Sequence, residues 1–390
     1  MDFIEQIEDC ISGSLTDGIL WNRMDQLFAV TCFSDMKITQ QNPVFHGEGD
    51  VYTHTQMVCQ ELIRIPAFLN LPLRQKTELF LAALLHDIGK VKTTRLEDGS
   101  WISPHHASVG SRIARAFLWQ ECGLCGTQER IDFRETVCAL IRYHMLPVHL
   151  IDREEPEREA RKVAAFGELA GDFSWHLLCI LAEADVRGRI ADDIAKGLEQ
   201  IELVRILAEE ADCLSGAYVF ADDFTKHAYL LGRNVQPDQT LFDDTWGEVI
   251  MLSGLPGTGK DTWIRQNAPD MPMVSLDDLR KELGIKPTDN QGKVIQEARE
   301  RAKEYLRKKQ PFVWNATDLT KDIRQKQIGL FEQYGARVRI VYLETDWKTR
   351  TKRNADRADA VPEGVVGGML GKTVLPAPDE AQTVEWLCAD

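Results

Sequence analysis

Between residues 51 and 230 apolar positions recur at three- and four-residue intervals. QKTELFLAALLHDIGK, ASVGSRIARAFLWQEC, FRETVCALIRYH and DFSWHLLCILAEADVRGR all show this spacing, which predicts a series of amphipathic helices. Strand-like runs are scarce in this region. GRNVQPDQTLFDDTW (232–246) is polar and non-periodic and holds Gly and Pro, which marks a linker. Beyond it the period changes. GEVIMLSGLPGTGKDTWIRQNA reads as strand, glycine loop and helix, and PFVWNATD and ARVRIVYLETD read as further short strands between helical stretches. Strands alternating with helices predict a parallel sheet. The pattern predicts an all-α domain over 1–231 and an α/β domain with a parallel sheet over 247–390. Residues 1–40 and 371–390 suggest only helices and a tail.

Composition adds two constraints. The chain has 390 residues, 44% of them hydrophobic and 27% charged, in the range of a soluble protein large enough for two domains. The amino terminus has no basic stretch leading into an apolar run, and no segment approaches the roughly 20 apolar residues of a membrane span. A cytoplasmic location without membrane attachment is the expectation. Of the nine cysteines only Cys122 and Cys125 are closely spaced, with no second pair to complete a zinc site, so reduced thiols are expected. The net charge of −15 disfavours a broad nucleic-acid coat, but it is uneven. From Thr245 onward there are 23 Lys/Arg and 22 Asp/Glu, against 23 and 39 before it, and all nine histidines lie at or before His227. The halves differ chemically as separate domains do.

The histidines carry the first candidate chemistry. His86 and Asp87 end an apolar helix, and a divalent cation bound by both would satisfy two buried polar groups at once. Further candidate ligands stand on other predicted helices: His54, His106, His144 and Asp185. Mixed imidazole and carboxylate donors suit manganese, iron, cobalt, nickel or zinc better than calcium. This ordered set resembles the HD-domain metal phosphohydrolases over roughly residues 40–230. The resemblance implies that His54, His86, Asp87 and Asp185 hold a first metal, and that His106 and His144 serve a second metal or the phosphate. His105 replaces His106 if the helix register slips by one. SPHHASVGSRIA, LAEADVRGR and HGEGDVYTHTQMV look like the HD module of certain tRNA nucleotidyltransferases, which implies action on 2′,3′-cyclic and 2′-phosphates. Arg187 and Arg189 would hold phosphate oxygens or form a solvated helix end. Lys90 would offset phosphoryl charge or serve the helix dipole.

The second candidate is GLPGTGKDT. Gly254, Gly259 and Lys260 fit the phosphate-loop pattern, in the required setting between a strand and a helix. Gly257 allows close backbone approach, and the loop with Thr258 would cradle the phosphates of ATP while Lys260 neutralises them. Asp261 stands where a hydroxyl is usual. It would enter the magnesium shell, with Thr262 as the fallback ligand. VSLDDLRKEL resembles the D-x-x-R element of phage-type polynucleotide kinases. Under that resemblance Asp277 takes the proton of a 5′-hydroxyl and Arg280 contacts phosphate, with Asp278 as rival base and helix-start placement as the alternative for both acids. TDWKTRTKRNADRADAVPEGVV looks like the same family's lid, with Arg353 and Arg357 folding over ATP. WNATDLTKDIRQKQ resembles its D-A-T-N strand end with Asn315 and Asp318 exchanged, which leaves both roles open. Arg324 is expected near the nucleic-acid strand. The basic run RERAKEYLRKKQ is interleaved with Glu297, Glu300 and Glu304, as in a solvated helix.

Both resemblances together point to the bacterial HD-domain polynucleotide kinases. They imply a two-activity enzyme that removes 2′,3′-cyclic phosphate or 2′-phosphate ends and phosphorylates 5′-hydroxyl ends of RNA, with DNA as a second candidate. An RNA ligase would act afterwards. Two other readings stay open: an HD nucleotide phosphohydrolase fused to a nucleoside or sugar kinase, and a regulator in which ATP binding gates the HD domain.

Overall fold

The computed structural model describes residues 3–12, 33–286, 289–357 and 359–389. The expectation of helices over residues 1–40 lies in part outside them. The chain forms two compact units, Met1–Leu124 with Glu129–Tyr218, and Cys125–Gln128 with Val219–Asp390. Among the described residues no helix is long and apolar enough to cross a membrane. The described cysteines are free thiols, Cys122 and Cys125 among them.

The first unit is helical, as its periodicity predicts: α1 (Phe3–Ser12), α2 (Val51–Leu62), α3 (Leu73–Leu85), α4 (His106–Gln120), α5 (Gln128–Tyr143), α6 (Pro156–Ala164), α7 (Trp175–Arg187) and α8 (Ile194–Glu210). A small antiparallel hairpin, β1 (Arg95–Glu97) and β2 (Ser100–Ile102), precedes α4. The helix α3 is the middle of this unit. Its residues Leu79 to Leu85 are all buried, since α1, α2 and α7 pack around it. A helix apolar on every side has to lie inside, so the polar pair at its end, His86 and Asp87, is carried into the interior. Capping sets the neighbouring starts: Asp50 Oδ1 accepts from the Thr53 amide at 2.8 Å to open α2, and Ser174 Oγ accepts from Leu177 at 3.3 Å to open α7. Gly89 lets the next segment close in. A Cβ there would lie 2.0 Å from the carbonyl oxygen of His106, so no larger residue allows the start of α4 to reach the end of α3.

The second unit opens with α9 (Asp223–Leu230), a helix that the sequence pattern groups with the first domain, ahead of a linker at 232–246. Its His227 Nε2 lies 2.7 Å from Glu332 within the second unit. The rest alternates as expected: β3 (Glu248–Ser253), α10 (Lys260–Asn267), β4 (Met273–Ser275), α11 (Leu276–Leu283), α12 (Gly292–Arg307), β5 (Phe312–Asn315), α13 (Lys321–Gln333), β6 (Arg337–Glu344), α14 (Trp347–Ala355), α15 (Glu363–Leu370) and β7 (Thr383–Cys388). The sheet is parallel in the order β4-β5-β3-β6-β7. β3 is central and buried on both faces, and the phosphate loop leaves its carboxyl end, where strand order reverses and ligands of such sheets bind.

Two expectations are corrected here. The tail at 371–390 contains β7, which pairs with β6 from Arg339↔Thr383 to Glu344↔Cys388. TVEWLC has little alternation of its own, and it becomes a strand because β6 presents a free edge. Arg324 does not face a nucleic-acid strand. It is fully buried, with Nε and Nη2 on Glu380 at 2.7 and 2.8 Å and Nη1 on the carbonyls of Asp318 and Val374. It ties α13 to the segment leading into β7.

Removing one partner of a buried ion pair strands the other charge and costs about 3–5 kcal/mol, whereas an apolar replacement of both is often close to neutral. Arg324→Met is therefore expected to destabilise the protein by about that amount in urea unfolding. Arg324→Met/Glu380→Leu should recover most of the loss, and equal losses in the two variants would contradict this role.

Candidate functional site

Five elements of the first unit converge on Asp87, which is 1% exposed. His54 comes from α2, His86 from the end of α3, His106 from the start of α4, His144 from just past α5 and Asp185 from α7. His86 Nε2 lies 3.3 Å and His54 Nε2 3.7 Å from Asp87 Oδ2, while His106 Nε2 and His144 Nε2 lie 3.4 and 4.0 Å from Oδ1. Asp185 Oδ1 stands 3.1 Å from His54 Nε2. All six expected ligands are thus brought together. Potential ligand atoms of His54, His86 and Asp87 lie within 4.8 Å of one another, and so do those of Asp87, His106 and His144. Asp87 is common to both triads.

The imidazoles are oriented by their far nitrogens. Nδ1 of His86 donates to the Ala83 carbonyl at 2.8 Å, that of His106 to Ser103 at 2.9 Å and that of His144 to Ile141 at 2.7 Å. Nδ1 of His54 meets Glu48 Oε1 at 2.9 Å and the Gly188 carbonyl at 3.2 Å. A carbonyl can only accept, so Nδ1 of His86, His106 and His144 carries the proton and Nε2 is left with its lone pair toward Asp87, as in ligating histidines. Burial lowers the pKa of His144 to about 3, aided by His86 and His106. Burial also lowers His106 despite Asp87. Both are neutral at ordinary pH, as ligands must be. For His54, burial is outweighed by Asp185 and Glu48, and its pKa is raised. For Asp87 burial is overcome by Lys90 and His86, which hold the carboxyl well below its usual range.

This donor set fits a divalent cation. Nε2 of His86 and Oδ1 of Asp87 are buried with no hydrogen-bond partner, a costly state that a metal between them would relieve. Lys90 Nζ reaches Asp87 Oδ2 at 2.7 Å and Gln41 Oε1 at 2.7 Å. Arg189 grips Asp185 with Nη2 at 2.6 Å and Nε at 3.2 Å. Lys90 and Arg189 line a pocket of about 590 Å³ that also exposes Asp87, His106, His144 and Asp185. Arg187 turns away to Glu183, and His105 lines a different pocket.

Sequence reasoning missed Glu48 and His46. Glu48 Oε1 lies 2.8 Å from His46 Nδ1 as well as 2.9 Å from His54, and Oε2 accepts from the Ile190 amide at 2.9 Å. Burial would raise its pKa, but the hydrogen bonds from the two histidines outweigh it and lower it. Burial lowers His46 to about 4. The signal was the H-x-E spacing in HGEGD, without a helical period to tie it to His54.

In the second unit the loop Gly254–Gly259 joins β3 to α10. Gly257 has φ +88, and a Cβ would lie 2.6 Å from the Arg350 carbonyl oxygen, so the loop rests directly on α14. Thr258 is buried and donates to the Leu255 carbonyl at 2.9 Å. Lys260 Nζ donates to Gly254 and Leu255 carbonyls at 2.8 and 3.0 Å, and burial lowers its pKa to about 8. Arg353 Nη1 would stand 3.5 Å from a Cβ at Gly259. Asp277 pairs with Arg280 through Oδ1 and with Arg357 Nη2 through Oδ2 at 3.1 Å. Ser275, not an aspartate, caps α11, accepting from Asp278 N at 3.2 Å, so Asp277 is free of that task. Asp261 Oδ1 accepts from Asn315 Nδ2 at 2.9 Å at the end of β5, whereas Thr262 Oγ1 accepts from Arg265 at 3.0 Å on the exposed side of α10. Asp318 Oδ2 accepts from Trp314 Nε1 at 2.8 Å, and burial raises it to about 6. In the basic run, Arg301 is taken by Glu297 and Glu282, and Lys303 by Glu300.

Comparison with known protein families agrees with this division. Residues 51–171 match the HD domain family, and residues 249–376 match a family described as AAA domain, whose phosphate loop and parallel sheet this unit has. The first match takes in His54, His86, Asp87, His106 and His144 but stops short of Asp185; the second holds the loop, Asp277, Arg353 and Arg357 and stops short of β7. The chain thus joins a hydrolase-type HD domain to a P-loop kinase-like domain.

Two outcomes follow from these charges. Glu48→Gln removes the anion that orients His54 and His46 while keeping the shape, and metal affinity should fall about 10–100-fold, read by titration against a chromophoric chelator; an unchanged affinity would deny Glu48 that role. Nucleotide binding favours the charged form of Lys260, whose pKa in the free protein is about 8. Affinity for ATP should be highest below that value and decline as pH rises through it, because the ammonium must then be regained on binding. A flat profile of ATP affinity against pH would contradict this.

Proposed function

We propose that this protein heals broken RNA ends, the first unit clearing a 2′,3′-cyclic phosphate or 2′-phosphate and the second phosphorylating the 5′-hydroxyl with ATP. The observation that carries the reading is the union in one chain of two opposite phosphate chemistries. One is a His/Asp cluster in a pocket with two cationic side chains, and the other is a phosphate loop in a unit whose Asp277 is held by Arg280 and Arg357. Ribonucleases that leave a cyclic phosphate on one fragment and a 5′-hydroxyl on the other create both substrates together, and an RNA ligase would consume both products.

In the first unit His54, His86, Asp87 and Asp185 would hold one divalent cation, with Asp87, His106 and His144 offering a second position. Such a cation lowers the pKa of water and draws charge from phosphoryl oxygens. The protein's own contribution is orientation. Glu48 and the four carbonyls aim the imidazoles, Arg189 holds Asp185, and Lys90 sits at the pocket wall where it can meet a phosphate oxygen. In the second unit Asp277 takes the proton of the 5′-hydroxyl as its oxygen attacks the γ-phosphorus, and ADP leaves with the bridging oxygen. Lys260, Arg353 and Arg357 offset the charge on the transferring group. Arg357 and Arg280 place Asp277. Asp261, held by Asn315, would help hold magnesium, which would offset charge on the phosphates of ATP.

The test is a paired assay with labelled ATP, a 5′-hydroxyl oligoribonucleotide, an oligonucleotide ending in 2′,3′-cyclic phosphate, and a panel of nucleosides and sugars. Asp277→Asn should lower oligonucleotide kinase activity by about 10²–10⁴ with phosphoesterase activity retained. Asp87→Asn should do the reverse. Phosphorylation of a nucleoside or sugar in preference to the oligonucleotide would overturn the reading.

A further inference from the structure

His105 immediately precedes α4 and has a left-handed backbone, φ 57. That reversal separates two consecutive histidines. His106 lines the pocket that holds Asp87, Lys90 and Arg189, while His105 lines a second pocket of about 630 Å³. Pro104 lines both, so the two pockets are neighbours within the first unit.

The second pocket is basic. Lys92, Arg95 and Arg112 line it with His105, Thr93 and Ser108 stand among them, and no carboxylate is found among its described lining residues. Arg112 is the telling member. It is half-buried, and burial together with the like charges of Arg115 and Arg142 disfavours its charged form. Arg115 is itself paired with Glu135 at 2.6 Å. Arg95 pairs with Glu97 at 2.7 Å, but both are exposed and such pairs exchange readily in water. A cluster of like charges kept together in a net-acidic unit is relieved by an anion that brings several negative charges at fixed spacing.

We propose that this second pocket binds phosphodiester groups of a single-stranded polynucleotide whose reacting end lies in the neighbouring His/Asp pocket. The part of the proposal that places the reacting end rests on the end-healing reading; the binding of the backbone does not. The lysine and arginines supply charge and hydrogen bonds without reading bases, so recognition is of backbone and independent of sequence. It also explains how a unit with excess negative charge selects a polymer: the attraction is confined to one basic face beside the site.

The experiment uses the full chain loaded with manganese, as wild type, Lys92→Gln and Lys92→Gln/Arg112→Gln. Lys92 is exposed, so the single variant reports even if the double variant folds poorly. Fluorescence anisotropy of a single-stranded RNA of about ten nucleotides, ending in a 3′-hydroxyl that the site does not hydrolyse, is followed across about 50–200 mM salt, and turnover is measured on the same RNA ending in 2′,3′-cyclic phosphate. Each lost phosphate contact should make the slope of log affinity against log salt shallower by about 0.7. The kcat/KM for that RNA should fall roughly tenfold in the double variant, while that for a 2′,3′-cyclic mononucleotide is unchanged. Unaltered affinity and slope in both variants would overturn the proposal. So would displacement of the RNA by a polyglutamate peptide as effectively as by unlabelled RNA, or by inorganic phosphate at equal phosphate concentration. Pocket-dependent RNA binding without hydrolysis of either substrate would uphold this inference and refute the end-healing reading instead.

Discussion

A carboxylate taken out of water at the end of a buried helix has to be compensated, and the first unit is organised around that demand. Asp87 is 1% exposed at the end of α3, in the wall of the pocket. The effective penalty for such an ion is several kcal/mol unless it is well paired. Lys90 supplies the pairing while four imidazoles from separate elements surround the carboxylate, and the close packing allowed by Gly89 brings α4 near enough to place His106 among them. Lys90 and a divalent cation answer the same demand. The ammonium takes Oδ2, and the unpaired Asp87 Oδ1 and His86 Nε2 are left for a metal.

The second unit handles charge by the opposite arrangement. Its cations lie around the phosphate loop: Lys260 rests on loop carbonyls, Arg353 lies beside the loop, and Arg357 pairs with Asp277. Arg324 shows how readily a basic residue in such a domain is misread, since its guanidinium is spent on Glu380 and two carbonyls. What separates the two kinds is burial with a complete set of acceptors against half-exposure beside the loop. Spacing along the chain does not distinguish them.

Local patterns settled a good deal. Period determined the helical first unit and the alternating second, because burial of one face imposes 3.6 or 2 on the apolar positions. The glycine loop was legible because its backbone demands glycine at fixed places, as Gly257 shows against the Arg350 carbonyl. His86 and Asp87 stood out as polar residues closing an apolar run. The other ligands could be matched to them only through the resemblance, since no local rule relates His54 to Asp185 across more than a hundred residues.

Only the tertiary structure decided the rest, and for one reason: the deciding partner is distant in sequence. Strand β7 exists because β6 has an open edge, so TVEWLC by itself carries little of the signal. Glu48 acquires its role by lying under His54 and His46, and α9 falls in the second unit through residues such as Glu332. The left-handed turn at His105 sends two adjacent histidines into different pockets, a distinction the pair of letters cannot hold. The sequence by itself determined which residues are able to bind metal and phosphate; chain topology, by closing long loops around Asp87 and the phosphate loop, decided which of them meet.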